Sequence, residues 1–267
     1  MAKERMPINI FAGILPGGYL FIDSCESAVK WQSLFATTAD LTWVEREDGY
    51  LGKCLRFTYN AGVIGALDYN SAFRFFTPNG TLRRLNAGFI FRPVFPAALS
   101  FPPLAAEMWM KNAYDTTAFD ICLGFPATPG YATRSIFFRI DFKTNLSPVN
   151  PLEVISYTRR ISVSTDVGGT WTVIVSSTQS FVGTPGTQNM NLTPWCNLRF
   201  NVTEDIINMV NIDGVQYSQN IPINTAWPFI SSSAGYVLVA PINDGLGANK
   251  SVIDIDQIWI SDTENIV

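Results

Sequence analysis

The fold class of this chain is decided by one stretch, Ile206-Ile207-Asn208-Met209-Val210-Asn211-Ile212-Asp213-Gly214-Val215-Gln216-Tyr217-Ser218. The pair Asp213-Gly214 suits a two-residue type I′ turn, because both residues tolerate the positive φ that this turn requires. The turn predicts two apolar cross-strand pairs on one face and a polar pair on the other, namely Ile212–Val215, Val210–Tyr217 and Asn211–Gln216. The stretch therefore predicts an antiparallel hairpin.

A second hairpin is predicted around Ser164-Thr165-Asp166-Val167-Gly168-Gly169-Thr170-Trp171. A resemblance to the Asp-box of sialidases and related β-proteins rests on Ser164, Asp166, Gly168, Thr170 and Trp171. The resemblance implies that the Asp166 side chain accepts hydrogen bonds from the turn backbone and that Trp171 packs beneath it. Sialidases repeat the motif once per blade, whereas this chain has one copy. A structural turn is therefore favoured over a sialidase.

Composition and charge exclude several classes of protein. Charged residues make up 15% of the 267 residues, against about 25% in ordinary domains. The net charge is −4, and the basic residues cluster no further than the pairs Arg83-Arg84 and Arg159-Arg160, which are predicted at solvated strand ends. A nucleic-acid partner is therefore not expected. Because the chain has no histidine, Ser-His-Asp and Cys-His triads and His-ligated zinc sites are excluded.

The four cysteines form no metal or redox motif. They are widely spaced, at Cys25, Cys54, Cys122 and Cys196. The N-terminal residues do not have the pattern of a signal peptide, so free thiols are expected. No apolar run approaches the roughly 20 residues of a membrane helix. We therefore expect neither a membrane partner nor a cofactor.

Short strands separated by Gly, Pro and Asn breakers run along the chain. We predict an N-terminal arm at 1–16 and a single β-sandwich domain at 17–267, with at most a few short helices, one of them a turn at Val29-Lys30-Trp31. The apolar, proline-rich segment from Arg92 to Leu104 interrupts this pattern, because proline donates no hydrogen bond to a sheet. Either it covers the core or it contacts a partner, and its interface candidates are Pro93, Phe95, Pro96, Leu99, Phe101, Pro102 and Pro103.

The C-terminal half resembles concanavalin A-like and laminin G-like jelly-roll domains. The resemblance rests on a strand, a hairpin, a last strand and an opening segment, at Trp195–Val202, Met209–Val215, Ile253–Ile260 and Phe21–Asp23 with Trp31. It covers about two thirds of the chain. It implies an all-β, antiparallel jelly-roll sandwich of the concanavalin A-like type.

Acidic residues suggest two further sites. The strand Asp254-Ile255-Asp256-Gln257 resembles the Glu-x-Asp-x-x-Glu strand of jelly-roll glucanases, but Trp259 occupies the position of the final Glu, so no catalytic residue is predicted. Glu45, Glu47 and Asp48 are predicted to form a solvated rim. The sequence contains no motif that predicts a metal site. Where a jelly roll holds calcium between its first and last strands, the ligands here would be Asp23, Glu26 and Asp256.

Three functions stay open at this point. A structural, non-catalytic virion protein, such as a phage capsid decoration, is favoured by the missing catalytic equipment, the low charge and the apolar loop. It would be located in the virion, and its partners would be other virion proteins or copies of itself. A lectin-like carbohydrate-binding module is the first alternative, with glycans as partners and the tryptophans as candidate sugar platforms, namely Trp31, Trp43, Trp109, Trp195 and Trp227. A glycoside hydrolase is the second alternative.

Overall fold

A computed structural model describes residues 19–33, 41–60, 72–76, 84–94, 117–124, 135–146, 154–165, 170–180, 194–203, 206–223, 235–242 and 250–261. These residues form fifteen strands, numbered in chain order as β1 (Tyr19–Asp23), β2 (Gln32–Ser33), β3 (Leu41–Arg46), β4 (Cys54–Asn60), β5 (Ala72–Phe76), β6 (Arg84–Pro93), β7 (Thr117–Gly124), β8 (Ser135–Leu146), β9 (Val154–Ser164), β10 (Thr172–Gln179), β11 (Cys196–Thr203), β12 (Ile206–Ile212), β13 (Val215–Pro222), β14 (Gly235–Ile242) and β15 (Lys250–Ser261). A 3-10 turn at Ala28–Lys30 lies where the sequence predicts a helical turn. Within these ranges, no helix is long and apolar enough to cross a membrane.

The strands form two antiparallel sheets. The eight-stranded sheet has the order β13-β12-β11-β6-β15-β4-β3, and β1 pairs with the second half of β15. The seven-stranded sheet has the order β10-β9-β8-β7-β14-β5-β2. Neighbours such as β6 with β15 and β5 with β14 are far apart in sequence, which is the connectivity of a jelly roll. The prediction of an all-β, concanavalin A-like jelly-roll sandwich is confirmed.

The core lies between the sheets and is dominated by phenylalanine. Phe89 and Phe200 of the eight-stranded sheet have ring centroids 6.0 Å apart. Phe138 of the seven-stranded sheet reaches across to Phe200 at 4.6 Å. All three side chains are almost fully buried, and burying each contributes about 2–3 kcal/mol. This contact therefore holds the two sheets face to face.

The hairpin that begins at Ile206 has the predicted register. Ile212 pairs with Val215, and Asn211 pairs with Gln216. The turn residues Asp213 and Gly214 have φ values of 54° and 86°, as a type I′ turn requires. The Asn211 side chain also stabilises the turn, because its Oδ1 accepts from Gly214 N–H at 3.0 Å. The Asp213-Gly214 pair thus sets the register through its backbone, as the sequence predicts.

Several sequence-based predictions need correction. β9 is one continuous strand, whereas the sequence predicts two strands, at Glu153–Tyr157 and Arg160–Thr165. Arg159 and Arg160 are not solvated strand ends: they lie within β9, Arg159 is buried, and Arg160 binds Asp141 at 2.8 Å. Neighbouring residues of a strand point to opposite faces, so the two charges have separate partners. Pro93 is buried and ends β6 opposite Ile253.

Other predictions fall on residues that the structure does not describe. These are the N-terminal arm at 1–16, the remaining interface candidates between Phe95 and Pro103, and the Asp-box residues Asp166 and Gly168. The flanking strands β9 and β10 do pair, with Thr172 opposite Val163. Cys25, Cys54 and Cys196 are free thiols, as predicted, and all three are buried.

Candidate functional site

A cavity of about 450 Å³ lies on the outer face of the eight-stranded sheet, beside the Asp213-Gly214 turn. Pockets that bind small molecules typically have volumes of about 300–1,000 Å³. Its lining residues include aromatic, amide and charged ones: Tyr50, Ile90, Trp195, Cys196, Asn197, Arg199, Asn211, Asp213 and Gly214. The cavity is therefore large enough for a sugar unit and has polar groups to orient one.

Two aromatic side chains from different loops line the cavity. Tyr50 follows β3, and Trp195 immediately precedes β11. Their rings meet edge to face, with centroids 6.1 Å apart and an interplanar angle of 67°. The Arg92 guanidinium lies 4.4 Å from the centroid of the Trp195 ring, a cation–π contact that fixes the indole. Trp195 is half-buried, so part of its surface remains available to a ligand.

Polar side chains of β11 and β12 line the same cavity. Along β11, Cys196, Leu198 and Phe200 are buried in the core. Asn197 and Arg199 alternate with them and therefore lie on the outer face. Arg199 pairs across the sheet with Asn211 of β12, and Asn197 pairs with Ile90 of β6. The sheet register thus places two amides and a guanidinium side by side.

Asp213 fixes one side of the cavity. Its backbone N–H donates to Asn197 O at 2.9 Å. In return, Asn197 N–H donates to Asp213 Oδ1 at 2.8 Å. The other carboxylate oxygen accepts from Arg159 of the opposite sheet at 2.7 Å. The hairpin turn is therefore bound both to β11 and to β9.

Beneath Tyr50 and Trp195 lies a buried row of charges that crosses β6, β15 and β4. Asp254 is fully buried and accepts from Arg56 Nε at 2.7 Å and from Arg92 Nε at 2.9 Å. Arg92 also donates to Asp48 at 2.6 Å. Although burial alone would raise the pKa of Asp48, the charges of Arg92, Arg56 and Arg46 hold it below its usual value. Arg46 is a third arginine at this row and lies 3.5 Å from Asp48, so opposite charges hold the row together.

Asp256 attaches the loop that carries Tyr50 to β15. Its Oδ2 accepts hydrogen bonds from the backbone N–H groups of Tyr50 and of Leu51, the latter at 3.0 Å. Burial raises the pKa of Asp256 to about 6, while the bonds from Leu51 and Tyr50 act in the opposite direction. The Asp254–Asp256 strand thus has a structural role: Asp254 is bound by two arginines, and Asp256 by a loop backbone.

One group of candidate metal ligands is already engaged in ion pairs. Among the described residues, three potential ligand atoms approach one another within 4.8 Å at Asp48, Cys54 and Asp254. Both carboxylates already bind Arg92, and a cation would compete with that guanidinium. Burial, followed by the negative charge of Asp254, raises the pKa of Cys54 to about 12, so the sulfur is a protonated thiol next to these ion pairs.

The residues predicted to bind calcium do not lie as close together as Asp48, Cys54 and Asp254. Within the ranges described, Asp23, Glu26 and Asp256 do not form a group of three ligand atoms inside that distance. Asp23 Oδ1 accepts from Cys25 N–H at 2.8 Å. The Glu26 carboxylate lies near Gly52: a Cβ atom added to Gly52 would be 3.2 Å from Glu26 Oε1. Calcium binding by these three residues stays a prediction.

The predicted acidic rim is solvated, since Glu45, Glu47 and Asp48 are all exposed. Lys53 binds Glu47 at 3.2 Å and Glu45 at 3.8 Å, and Glu47 is largely exposed. Glu45 also accepts from Ala28 N–H at 3.1 Å. Asp48 is 42% exposed and in addition binds Arg92 at 2.6 Å. The rim is therefore joined to the buried Asp254 and Arg92 through Asp48.

Of the five tryptophans considered as sugar platforms, Trp195 is the one that lines the cavity. Trp31 is buried in the core, edge-on to Phe57 at 5.1 Å. Trp43 donates to Ala28 O at 3.1 Å, and Trp109 and Trp227 lie outside the described ranges. Sequence reasoning did not identify Tyr50, Asn197 or Arg199 as site residues. The alternation of polar and apolar residues along β11 indicates Asn197 and Arg199, but no sequence feature near Tyr50 indicates that it contacts Trp195.

Comparisons with known proteins concern the fold. No protein-family model matches the chain, and no curated protein matches its sequence. A carbohydrate esterase from Shiga toxin-encoding bacteriophage phi24B aligns with a TM-score of 0.42 and 11% identity, over 91% of this chain and 97% of its own. A non-specific endo-beta-1,3(4)-glucanase of family GH16 aligns with a TM-score of 0.41 and 12% identity, over 93% and 92%. The carbohydrate recognition domain of Emp46p, potassium-bound, gives 0.42 and 11%, over 91% and 93%.

Proposed function

We propose that this chain is a carbohydrate-binding protein and that the cavity beside Trp195 is its ligand site. One observation carries the proposal: the half-buried Trp195 ring, braced by Tyr50 and Arg92, lies next to the amide side chains of Asn197 and Asn211. An aromatic ring offers an apolar platform for the C–H face of a sugar. The amides can donate to and accept from its hydroxyl groups.

The same cavity favours binding over hydrolysis. Glycoside hydrolysis by the usual route needs two carboxyl groups, about 5–9.5 Å apart, on either side of the scissile bond. Among the described residues that line the cavity, Asp213 is the carboxylate, and it is bound by Arg159 and by the backbone of Asn197. Asp254 and Asp256, the pair that resembles the glucanase strand, are held by arginines and by a loop. We therefore propose a non-catalytic protein.

The structural virion role stays a prediction. Its proposed contact surface lies mainly between Phe95 and Pro103, outside the described residues, and Pro93 is buried at the end of β6. The proposed glycan site around Trp195 rests instead on contacts between described residues. For this reason we place carbohydrate binding first.

A matched pair of tryptophan substitutions tests the proposal. Trp195→Ala removes the platform, whereas Trp171→Ala removes a half-buried indole that stacks on Arg139 at 4.0 Å, on the other sheet. Intrinsic fluorescence and calorimetry against a broad oligosaccharide panel should show a ligand that the wild type and Trp171→Ala bind and Trp195→Ala does not. Binding that survives Trp195→Ala would remove this site, and a panel without any ligand would remove the function.

A further inference from the structure

The cavity contains one charged side chain whose charge no protein carboxylate neutralises, within the residues that the structure describes. This side chain is Arg199, whose Nε donates to Asn197 Oδ1 at 3.2 Å. None of the ion pairs of the described residues includes it. Its cross-strand partners, Gly88 and Asn211, carry no charge. The guanidinium is therefore half-buried without a counterion.

Asp213, which also lines the cavity, and Arg92, which lies behind Trp195, both have ion-pair partners. Asp213 is paired with Arg159 at 2.7 Å. Arg92, which stacks on Trp195, is paired with Asp254 at 2.9 Å and with Asp48 at 2.6 Å. Of the two charged side chains among the described lining residues, Arg199 is therefore the one without an ion-pair partner. A half-buried cation costs solvation energy that an anionic ligand would recover.

We propose that the cavity selects an acidic saccharide and that Arg199 binds its carboxylate, an inference that rests on the proposed carbohydrate site. A guanidinium matches a carboxylate through two parallel N–H···O bonds, which a neutral hydroxymethyl group cannot accept in the same way. Asn197 already holds the Nε of Arg199, so the fork loses less freedom when the ligand binds. Trp195 and Asn211 then contact the sugar ring and its hydroxyl groups.

Matched ligands test the inference on the unaltered protein. The probes are oligogalacturonate with its carboxyl-reduced neutral counterpart, and sialyllactose with lactose, each measured by titration calorimetry. We expect the acidic member of at least one pair to bind about 10-fold to 100-fold more tightly than the neutral member. Added salt should weaken that affinity, because it screens the contact between guanidinium and carboxylate. The pair that responds distinguishes a uronic acid from a sialic acid.

Substitution of the arginine assigns the effect to one side chain. Arg199→Gln should reduce the affinity for the acidic ligand to that for the neutral one, and Arg199→Lys should retain part of the difference. Arg160→Gln is the matched control, because Arg160 lies on the outer face of the other sheet and binds Asp141, and it should leave both affinities unchanged.

The outcomes separate this inference from the proposed function. Equal affinities within each ligand pair, or an unchanged preference in Arg199→Gln, would overturn the inference while the carbohydrate site stands. Absence of binding to every saccharide would overturn both. Because the ligand pairs and the salt dependence need no variant, poor folding of Arg199→Gln would not prevent the decision.

Discussion

Asp254 is a fully buried carboxylate that binds two arginine side chains at once. It binds Arg56 through both oxygens, at 2.7 Å and 2.9 Å, and Arg92 at 2.9 Å. Asp254→Asn keeps the volume but leaves two cations without this counterion. Removing one partner of a buried ion pair typically costs about 3–5 kcal/mol. We therefore expect a loss of about that size in the free energy of unfolding, measured by urea denaturation.

The control for this prediction is Glu47→Gln. Glu47 is 83% exposed and binds the exposed Lys53, and pairs of this kind contribute little to stability. Its unfolding curve should coincide with that of the wild type. If Asp254→Asn also coincided with the wild type, the buried row would not support the fold, and its role beneath Trp195 would need another explanation.

Gly88 is required by its neighbour Trp259 rather than by its own backbone. A Cβ atom at Gly88 would lie 2.5–2.6 Å from three atoms of the indole. Trp259 is 4% exposed and therefore has little room to move. We expect Gly88→Ala to lower the free energy of unfolding by about 1–3 kcal/mol, as overpacking does, and to shift the Trp emission spectrum. Gly214→Ala is the comparison, because its Cβ would meet nothing within 4 Å, so its cost arises from a φ of 86° alone and should leave the spectrum unchanged.

At the scale of elements, the loop between β3 and β4 depends on the ionisation of Asp256. Burial raises the pKa of Asp256 to about 6, whereas an aspartate in an unfolded chain titrates near 3.9. Glu26 adds to that rise, and Arg92 opposes it. Between about pH 4 and pH 6 the folded state retains a proton that the unfolded state has released. This group therefore makes the fold less stable as pH rises through that window, with no further change above it.

Ionisation of Asp256 lowers the stability of the fold but strengthens the attachment of the loop that carries Tyr50. The ionised carboxylate accepts from Tyr50 N–H and Leu51 N–H, and protonation weakens those bonds. By NMR, the amide protons of these two residues should shift with a midpoint near the pKa of about 6. The same midpoint should be absent in Asp256→Asn. A midpoint near 4 in the wild type would show that burial does not control this carboxyl.

The sequence predicts the individual strands and hairpins better than it predicts which side chains contact one another across the fold. The hairpin at Asp213-Gly214 follows from two residues and a local turn, and the structure has that register. The Arg159-Arg160 pair was misplaced because two adjacent charges look solvated. In a strand, however, one of the two faces inward, and here its partner Asp213 is 54 positions away. Alternation within β11 indicates an outer face with Asn197 and Arg199, but only the sheet order shows that Trp195 and Tyr50 meet beside them.

At the scale of the whole molecule, the two sheets are joined by a polar contact as well as by the phenylalanine core. Arg159 lies on β9 of the seven-stranded sheet, and Asp213 lies in the β12–β13 turn of the eight-stranded sheet. The side chain of Arg159 is 6% exposed, and that of Asp213 is 37% exposed. The contact therefore closes one end of the sandwich at the rim of the proposed ligand site.

A double-mutant cycle measures what this contact contributes. Arg159→Met keeps the apolar stem and removes the charge, and Asp213→Asn keeps a residue that tolerates the left-handed turn conformation. We expect Arg159→Met to cost about 2 kcal/mol, the range for a hydrogen bond between charged groups, and the cycle to give a coupling free energy of about 1 kcal/mol or more. Urea unfolding of the wild type, both single variants and the double variant provides the four values. Additive losses would mean that the sheets are joined through their core alone, and the Asp213 turn would then owe its position to Asn197.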